Sequence, residues 1–301
     1  NKTILNERFL TRDNVELIFH RALANNISEN SYKYLSIDYS EIREKTAIYL
    51  KDYIDNKYFA LSGIKSPPGL LNREVAFFDS SMRLTSKQAD RFSSQRPDTI
   101  SGSFASLIQQ DKPTFLFGEL GSGKSSIAAG YILGLLNQQD DILPLLIPAS
   151  YLQQRQLSTL LEVKLAINDF VNIELQLSDP IFDIDVIFKT RKETTLIIDG
   201  LDELNIKTAR LLISHLKNLK NGNDSLRLIA TGRPIELEGI VPSGWHTLFT
   251  LPLKESEIKS ILTSEAVNRN LSHEDAEADS TKRFSFLKSR PELHSIAITP
   301  L

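Results

Sequence analysis

Residues 118 to 126 read Gly118-Glu119-Leu120-Gly121-Ser122-Gly123-Lys124-Ser125-Ser126. Three glycines, a lysine and a hydroxyl at this spacing suit one kind of chemistry. Without Cβ atoms the backbone can turn tightly enough to aim successive N–H groups at an anion, and a helix opening at the lysine adds the positive end of its dipole. The Lys124 ammonium would neutralise the outer phosphates of a nucleoside triphosphate, and the Ser125 hydroxyl would reach a magnesium ion. Gly118 through Ser126 therefore form a candidate phosphate cradle. A glycine-rich surface turn is the competing explanation for the same residues.

A magnesium site needs a further protein oxygen, and the apolar run Leu196-Ile197-Ile198 ends on Asp199, with Gly200-Leu201-Asp202-Glu203 behind it. Asp199 joins Ser125 as a candidate metal oxygen, and Asp202 and Glu203 are candidates to orient or deprotonate an attacking water. An Asp before Gly is also an ordinary turn. A third polar strand end, Thr231-Gly232-Arg233-Pro234, offers Arg233 to stabilise charge developing on the outer phosphate. Helix capping or simple exposure would account for the same arginine.

These groups need a scaffold, and after residue 110 short apolar runs alternate with amphipathic stretches. Strands are expected over 115–117, 143–149, 195–198, 226–231 and 246–251. Helices are expected over 125–136, after the Thr159 and Glu162 capping box, over 181–189 behind Asp179-Pro180, and over 207–221 with Gly222 as the stop. The pattern predicts a three-layer α/β fold around a mostly parallel five-stranded sheet covered on both faces. The distance from Lys124 to Asp199 predicts a strand inserted between the two phosphate-site strands.

Residues 1–60 read as helices, with Val15, Ile18, Phe19, Ala22 and Leu23 on one face and Ile42, Tyr49, Leu50, Tyr53 and Ile54 on another. Asp13 and Ser40 are their expected caps. Gly63 to Leu70, with Pro67 and Pro68, breaks the pattern, and Arg83, Lys87 and Arg91 then recur as a basic stripe best read as a solvated face. The expected organisation is a mostly helical region and linker over 1–109, a nucleotide-binding core over 110–252, and the start of a helical domain over 253–301.

Composition narrows the classes. The chain has 301 residues, 41% hydrophobic and 24% charged, an ordinary globular balance. Its 35 basic and 38 acidic residues leave −3, so no direct nucleic-acid binding is expected. The absence of cysteine excludes disulfides, thiolate metal sites and cysteine nucleophiles, and fits a cytoplasmic location. The longest apolar stretch, Ile142 to Ala149, is too short to span a bilayer, so no membrane is expected. An Asn at position 1, with Met82 the only methionine, and an end within an apolar pattern read as a piece of a longer protein.

Asp199-Gly-Leu-Asp202-Glu203-Leu204, Thr231-Gly232-Arg233-Pro234 and Leu251-Pro-Leu253-Lys-Glu255-Ser-Glu-Ile258 together resemble the NACHT family of signal-transducing P-loop NTPases, a STAND class. The tail, Arg290-Pro291-Glu-Leu293 through Pro300-Leu301, is similar to that family's first helical domain. The resemblance covers about residues 110 to 301. It implies that Asp199 is the magnesium residue, Asp202 and Glu203 the hydrolytic acidic pair, Arg233 the first sensor and Pro300 a contact to the base. Gly232 departs from the family, which often has Ser there. By the same resemblance the chain is expected to bind ATP or ADP with Mg²⁺, ATP or GTP preference staying open, and to hydrolyse slowly. It would switch self-association of a larger signalling protein, as in bacterial antiphage-defence members. A motor ATPase acting on protein or nucleic acid, and a nucleotide-locked interaction module without turnover, are the alternatives.

Overall fold

Apolar runs with no charged face must be buried from both sides, and the five expected ones lie side by side in one sheet. The computed structural model describes residues 39–54, 73–78, 100–119, 121–138, 141–178, 182–190, 192–233 and 244–290. The strands are β1 (Glu74–Phe78), β2 (Ser101–Ser103), β3 (Thr114–Phe117), β4 (Ile142–Pro148), β5 (Glu193–Asp199), β6 (Leu226–Gly232) and β7 (His246–Thr250). Their order is β2-β1-β7-β3-β6-β5-β4. The five from β7 to β4 are parallel, whereas β1 runs antiparallel to β7 and β2 antiparallel to β1.

Alternate side chains of the sheet enter opposite layers. Phe115, Phe117, Leu196, Ile198, Leu228 and Ala230 share one core with the helices α5 (Leu160–Asp169), α6 (Ile184–Lys189) and α7 (Ile206–Asn221). Leu116, Ile197, Ile229 and Leu248 face the other core, covered by α3 (Lys124–Gln138) through Ile127, Ala128, Ile132 and Leu135. The short helices α2 (Phe104–Leu107) and α4 (Ala149–Gln153) follow β2 and β4 directly. This is an α/β fold with a mostly parallel mixed sheet flanked by helices. A helical pair, α8 (Glu255–Asn268) and α9 (His273–Lys288), follows β7 and closes its own apolar cluster of Leu253, Ile258 and Phe284.

The sheet is larger than the expected five strands, and both additions come from the region expected to be mostly helical. β1 reads Glu-Val-Ala-Phe-Phe without clean alternation, and β2 reads Ser-Gly-Ser. Neither has the local signal of a strand; each is held by its antiparallel neighbour, where pairing overrides propensity. From the same region, α1 (Tyr39–Ile54) buries Ile42 in one core and Leu50 and Ile54 in the other. It therefore lies across the β4 edge of the sheet, where Arg43 donates to the carbonyls of Ile142 and, at 2.7 Å, of Leu136. Pro144 and Pro148 are tolerated in β4 because an edge strand loses least from a missing N–H.

Boundaries shift in two places. The helix expected over 181–189 begins at Ile184, because the Asp183 side chain accepts from the Asp185 N–H and caps it there. Ser40 sits inside the first turn of α1 instead of before it. The Thr159–Glu162 capping box forms as expected, and α7 runs from its Asn205 cap to Gly222. Asp13, the first helical face at Val15 to Leu23, Gly63 to Leu70, the Arg83, Lys87 and Arg91 stripe, and Asp179 to Ile181 lie outside the described residues. No helix among the described residues is long and apolar enough to cross a membrane.

At the start of β7, the His246 ring stacks on Phe77 at 4.7 Å, and its Nε2 lies 2.8 Å from the Leu107 carbonyl. Burial holds this imidazole below its ordinary value of 6.5, against the opposing pull of the Leu107 carbonyl. The native state therefore refuses a proton that the unfolded chain accepts, and stability falls as pH drops from 6.5 through the native value. His246→Gln should lose less stability than the parent between pH 7.5 and 5, measured as urea midpoints at each pH.

Candidate phosphate and metal site

β3 delivers Gly118 to the C-terminal edge of the sheet, where its N–H donates to the Gly232 carbonyl at the end of β6, 3.3 Å away. A Cβ at Gly118 would stand 2.2 Å from Ser122 Oγ and 2.3 Å from Thr250 Oγ1, so only glycine fits. Gly121 and Gly123 take left-handed φ values of 70° and 80°, which turn the chain into α3. The Ser122 N–H donates to the Glu119 carbonyl at 3.1 Å, and Ile127 N–H to the Gly123 carbonyl at 2.9 Å. Ser126 is buried, Ser125 half-buried and Glu119 exposed, while Leu120 lies outside the described residues.

Lys124 is folded against its own loop. Its Nζ donates to the carbonyls of Gly118 at 2.6 Å and Glu119 at 2.9 Å. Burial pushes this ammonium below its ordinary value, and Arg233 adds to that, whereas the carboxylates of Asp202, Asp199 and Glu119 oppose it. Residues far apart in the chain thus act on one another's charge at a single place.

The inserted strand is where the sequence predicts it: β6 lies between β3 and β5. Asp199, at the end of β5, has no exposed surface. The Thr231 hydroxyl of β6 donates to its Oδ1 at 2.5 Å, while that hydroxyl accepts the Gly200 N–H at 2.8 Å. The Tyr53 hydroxyl, from the last turn of α1, donates to Oδ2 at 2.7 Å. Tyr53 stacks on Tyr49, whose own hydroxyl is pushed up by burial and by the charges of Glu174 and Asp199 and so stays protonated.

The turn Leu201–Glu203 follows, with Glu203 exposed and the Asp202 carboxylate largely covered. Asp202 Oδ2 pairs with Arg233 Nε at 2.8 Å, which fixes the arginine beyond β6. Two buried oxygens here, Ser122 Oγ and Asp202 Oδ1, have no hydrogen-bond partner among the described residues. Unpartnered buried oxygens are costly, and a functional role or a water or ion at the site is among the explanations for them. Among the described residues no cluster of three or more His, Cys, Asp or Glu could hold a metal. Magnesium bound through one carboxylate, one hydroxyl, waters and phosphates needs no such cluster. Pro300 lies outside the described residues.

Three residues at the site escape the motif reading. Thr231 shows only as a polar residue ending an apolar strand. Tyr53 looks like part of a core-facing helix, and nothing in the sequence ties it to a carboxylate 146 positions away. Arg73 is 2% exposed and donates to the Ser122 carbonyl, yet in the sequence it reads as half of an ordinary charged pair, Arg73-Glu74, before a short apolar run.

The dual role of the Thr231 hydroxyl has a measurable cost. Thr231→Val keeps the shape but removes a donor to buried Asp199 and the acceptor of the Gly200 N–H. At about 1–3 kcal/mol for each of the two buried groups deprived of a partner, urea unfolding should register a loss of roughly 2–6 kcal/mol.

No protein-family profile and no curated protein matches the chain. Three solved structures are similar to it at 14% identity, each over 64% of this chain. They are C. elegans PCH-2 (TM-score 0.36, 48% of its chain), Cdc6p from Pyrobaculum aerophilum (0.35, 54%) and Drosophila ORC bound to DNA (0.38, 57%). The chain spans about half the length of these structures.

Proposed function

We propose that this chain binds a nucleoside triphosphate with magnesium and hydrolyses it slowly, as the switch of a signalling protein of the NACHT type. The observation that carries the reading is the convergence of Lys124, Asp199, Asp202 and Arg233 at the end of three adjacent parallel strands, beside a loop with two left-handed glycines. In this reading Gly118 to Ser126 hold the phosphates, Ser125 and Asp199 hold the metal, and Asp202 with Glu203 handles the attacking water. Magnesium bound there would supply charge neutralisation for the phosphates.

What the chain's own residues do follows from their contacts. Lys124 must leave the Gly118 and Glu119 carbonyls to meet a phosphate, and those carbonyls keep its ammonium close by until then. Thr231 and Tyr53 orient the Asp199 carboxylate by holding one oxygen each. Arg233 is tied to Asp202 through its Nε, which holds the guanidinium beside the carboxylates. A sensor paired in this way with a water-handling carboxylate supports slow turnover. The same pair favours, as a second reading, a module that holds nucleotide without hydrolysis.

The organisation into a nucleotide-binding core over 110–252 and a helical domain from 253 is supported by the separate apolar cluster of α8 and α9. Residues 1–109 serve in part to complete the core, since α1, β1 and β2 all pack on its sheet. Control of self-association, a cytoplasmic setting and an antiphage role rest on the family resemblance.

Two measurements test the reading. Lys124→Ala removes a charge placed for two phosphates, worth on the order of 3 kcal/mol, and calorimetric titration with ADP or ATP should show affinity falling about a hundredfold. Unchanged affinity would reject the phosphate assignment. Asp202→Asn with Glu203→Gln should retain Mg²⁺-dependent ATP binding while phosphate release falls about a hundredfold. A parent protein that binds ATP and never releases phosphate would favour the locked module.

A further inference from the structure

Arg73 is among the largest side chains in the protein with essentially no exposed surface. Burying a guanidinium is costly unless its donors are satisfied, so the groups around it are informative. One terminal nitrogen donates to the carbonyl of Ser122, in the middle of the phosphate loop. The other donates to the carbonyl of Leu251, just past β7 on the path to α8. Its Nε lies 3.8 Å from Glu257 Oε1 and has no hydrogen-bond partner among the described residues. Burial lowers the affinity of this guanidinium for its proton, and the Glu257 carboxylate opposes that effect.

Glu257 has a second task. Its Oε2 accepts the Lys254 N–H at 2.6 Å and so caps the first turn of α8. One carboxylate therefore faces the arginine that holds the loop and closes the end of the helix that leads away from the core. Next to it the charges are reversed: Glu74, the neighbour of Arg73, pairs with Lys254 at 2.6 Å. That outer pair is about half exposed.

We propose that Arg73 is a positioning residue that links occupancy of the phosphate loop to the seating of α8, through Ser122 on one side and Glu257 on the other; this rests on the nucleotide reading above. The link runs through the protein from behind the loop and does not pass through the bound ligand. A phosphate in the loop fixes Ser122, Ser122 fixes the guanidinium, and the guanidinium fixes the carboxylate that caps α8. Linkage is reciprocal, so loosening α8 must weaken phosphate binding by the same factor.

The test is amide hydrogen exchange of the whole chain, with and without saturating ADP, read by mass spectrometry over residues 118–127 and 255–268. In the parent protein ADP should slow exchange in both segments, in α8 on the order of tenfold. In Glu257→Gln, where the amide oxygen still caps α8 but the charge facing Arg73 is gone, ADP should slow the loop and leave α8 unchanged. Arg73→Lys, which keeps the charge but cannot reach both carbonyls, should show the same uncoupling together with weaker ADP binding. Lys254→Met, which removes only the outer pair, should keep the α8 response. Equal slowing of α8 in Glu257→Gln and the parent at equal occupancy overturns the link, as does a parent in which ADP slows the loop alone. If ADP binds the parent nowhere, the nucleotide reading fails and the link fails with it. Should Arg73→Lys not fold, Glu257→Gln decides alone, since its side chain lies at the edge of the contact with about a fifth of its surface exposed.

Discussion

A carboxylate with no exposed surface must find its donors within the protein or forgo its charge, and Asp199 stands under that constraint at the end of β5. Thr231 and Tyr53 meet it, and each answer fixes an element. The threonine has to come from the adjacent strand at the matching level, which aligns the end of β6 with the end of β5. The tyrosine has to come from above the strand ends, which brings the last turn of α1 over the sheet. Thr231 then receives the Gly200 N–H, so the turn that carries Asp202 starts from the same hydroxyl. Asp202 in turn takes Arg233, two residues beyond Thr231. Asp199, Thr231, Tyr53, the Gly200 turn, Asp202 and Arg233 are therefore one connected network built outward from a single buried carboxylate.

The glycine-rich loop from Gly118 to Ser126 meets the same problem with opposite sign. Lys124 and Arg73 are cations with little or no exposed surface, and both are held chiefly by backbone carbonyls of the loop and its surroundings. Positive charge approaches the loop both from within and from behind. A loop braced by two cations keeps the carbonyls of Gly118, Glu119 and Ser122 occupied, which fixes its backbone from both sides.

Periodic features were legible in the sequence where local chemistry decides them. The glycine spacing from Gly118 to Gly123 gave the turn, the buried run ending on Asp199 gave the strand end, and the capping pair Thr159 and Glu162 gave a helix start. That a strand separates β3 from β5 followed from the chain length between Lys124 and Asp199, whereas its identity as β6 shows only in the sheet order. β1 and β2 were not legible, because Glu-Val-Ala-Phe-Phe becomes a strand only when β7 offers an edge, and Ser-Gly-Ser only when β1 does. The roles of Tyr53 and Arg73 were hidden for a related reason: each is set by a partner far along the chain, and sequence spacing carries no record of such a meeting.

The two ends of the sheet differ in how they stop. At one end β4 carries two prolines and lies beneath α1, with Arg43 already donating to the Ile142 carbonyl. At the other, β2 is three residues long and made of small side chains. Among the described residues, neither rim offers a long run of vacant backbone hydrogen-bonding groups on which a visiting strand could be templated. Copies of this chain are thereby steered away from adding strand to strand along these rims.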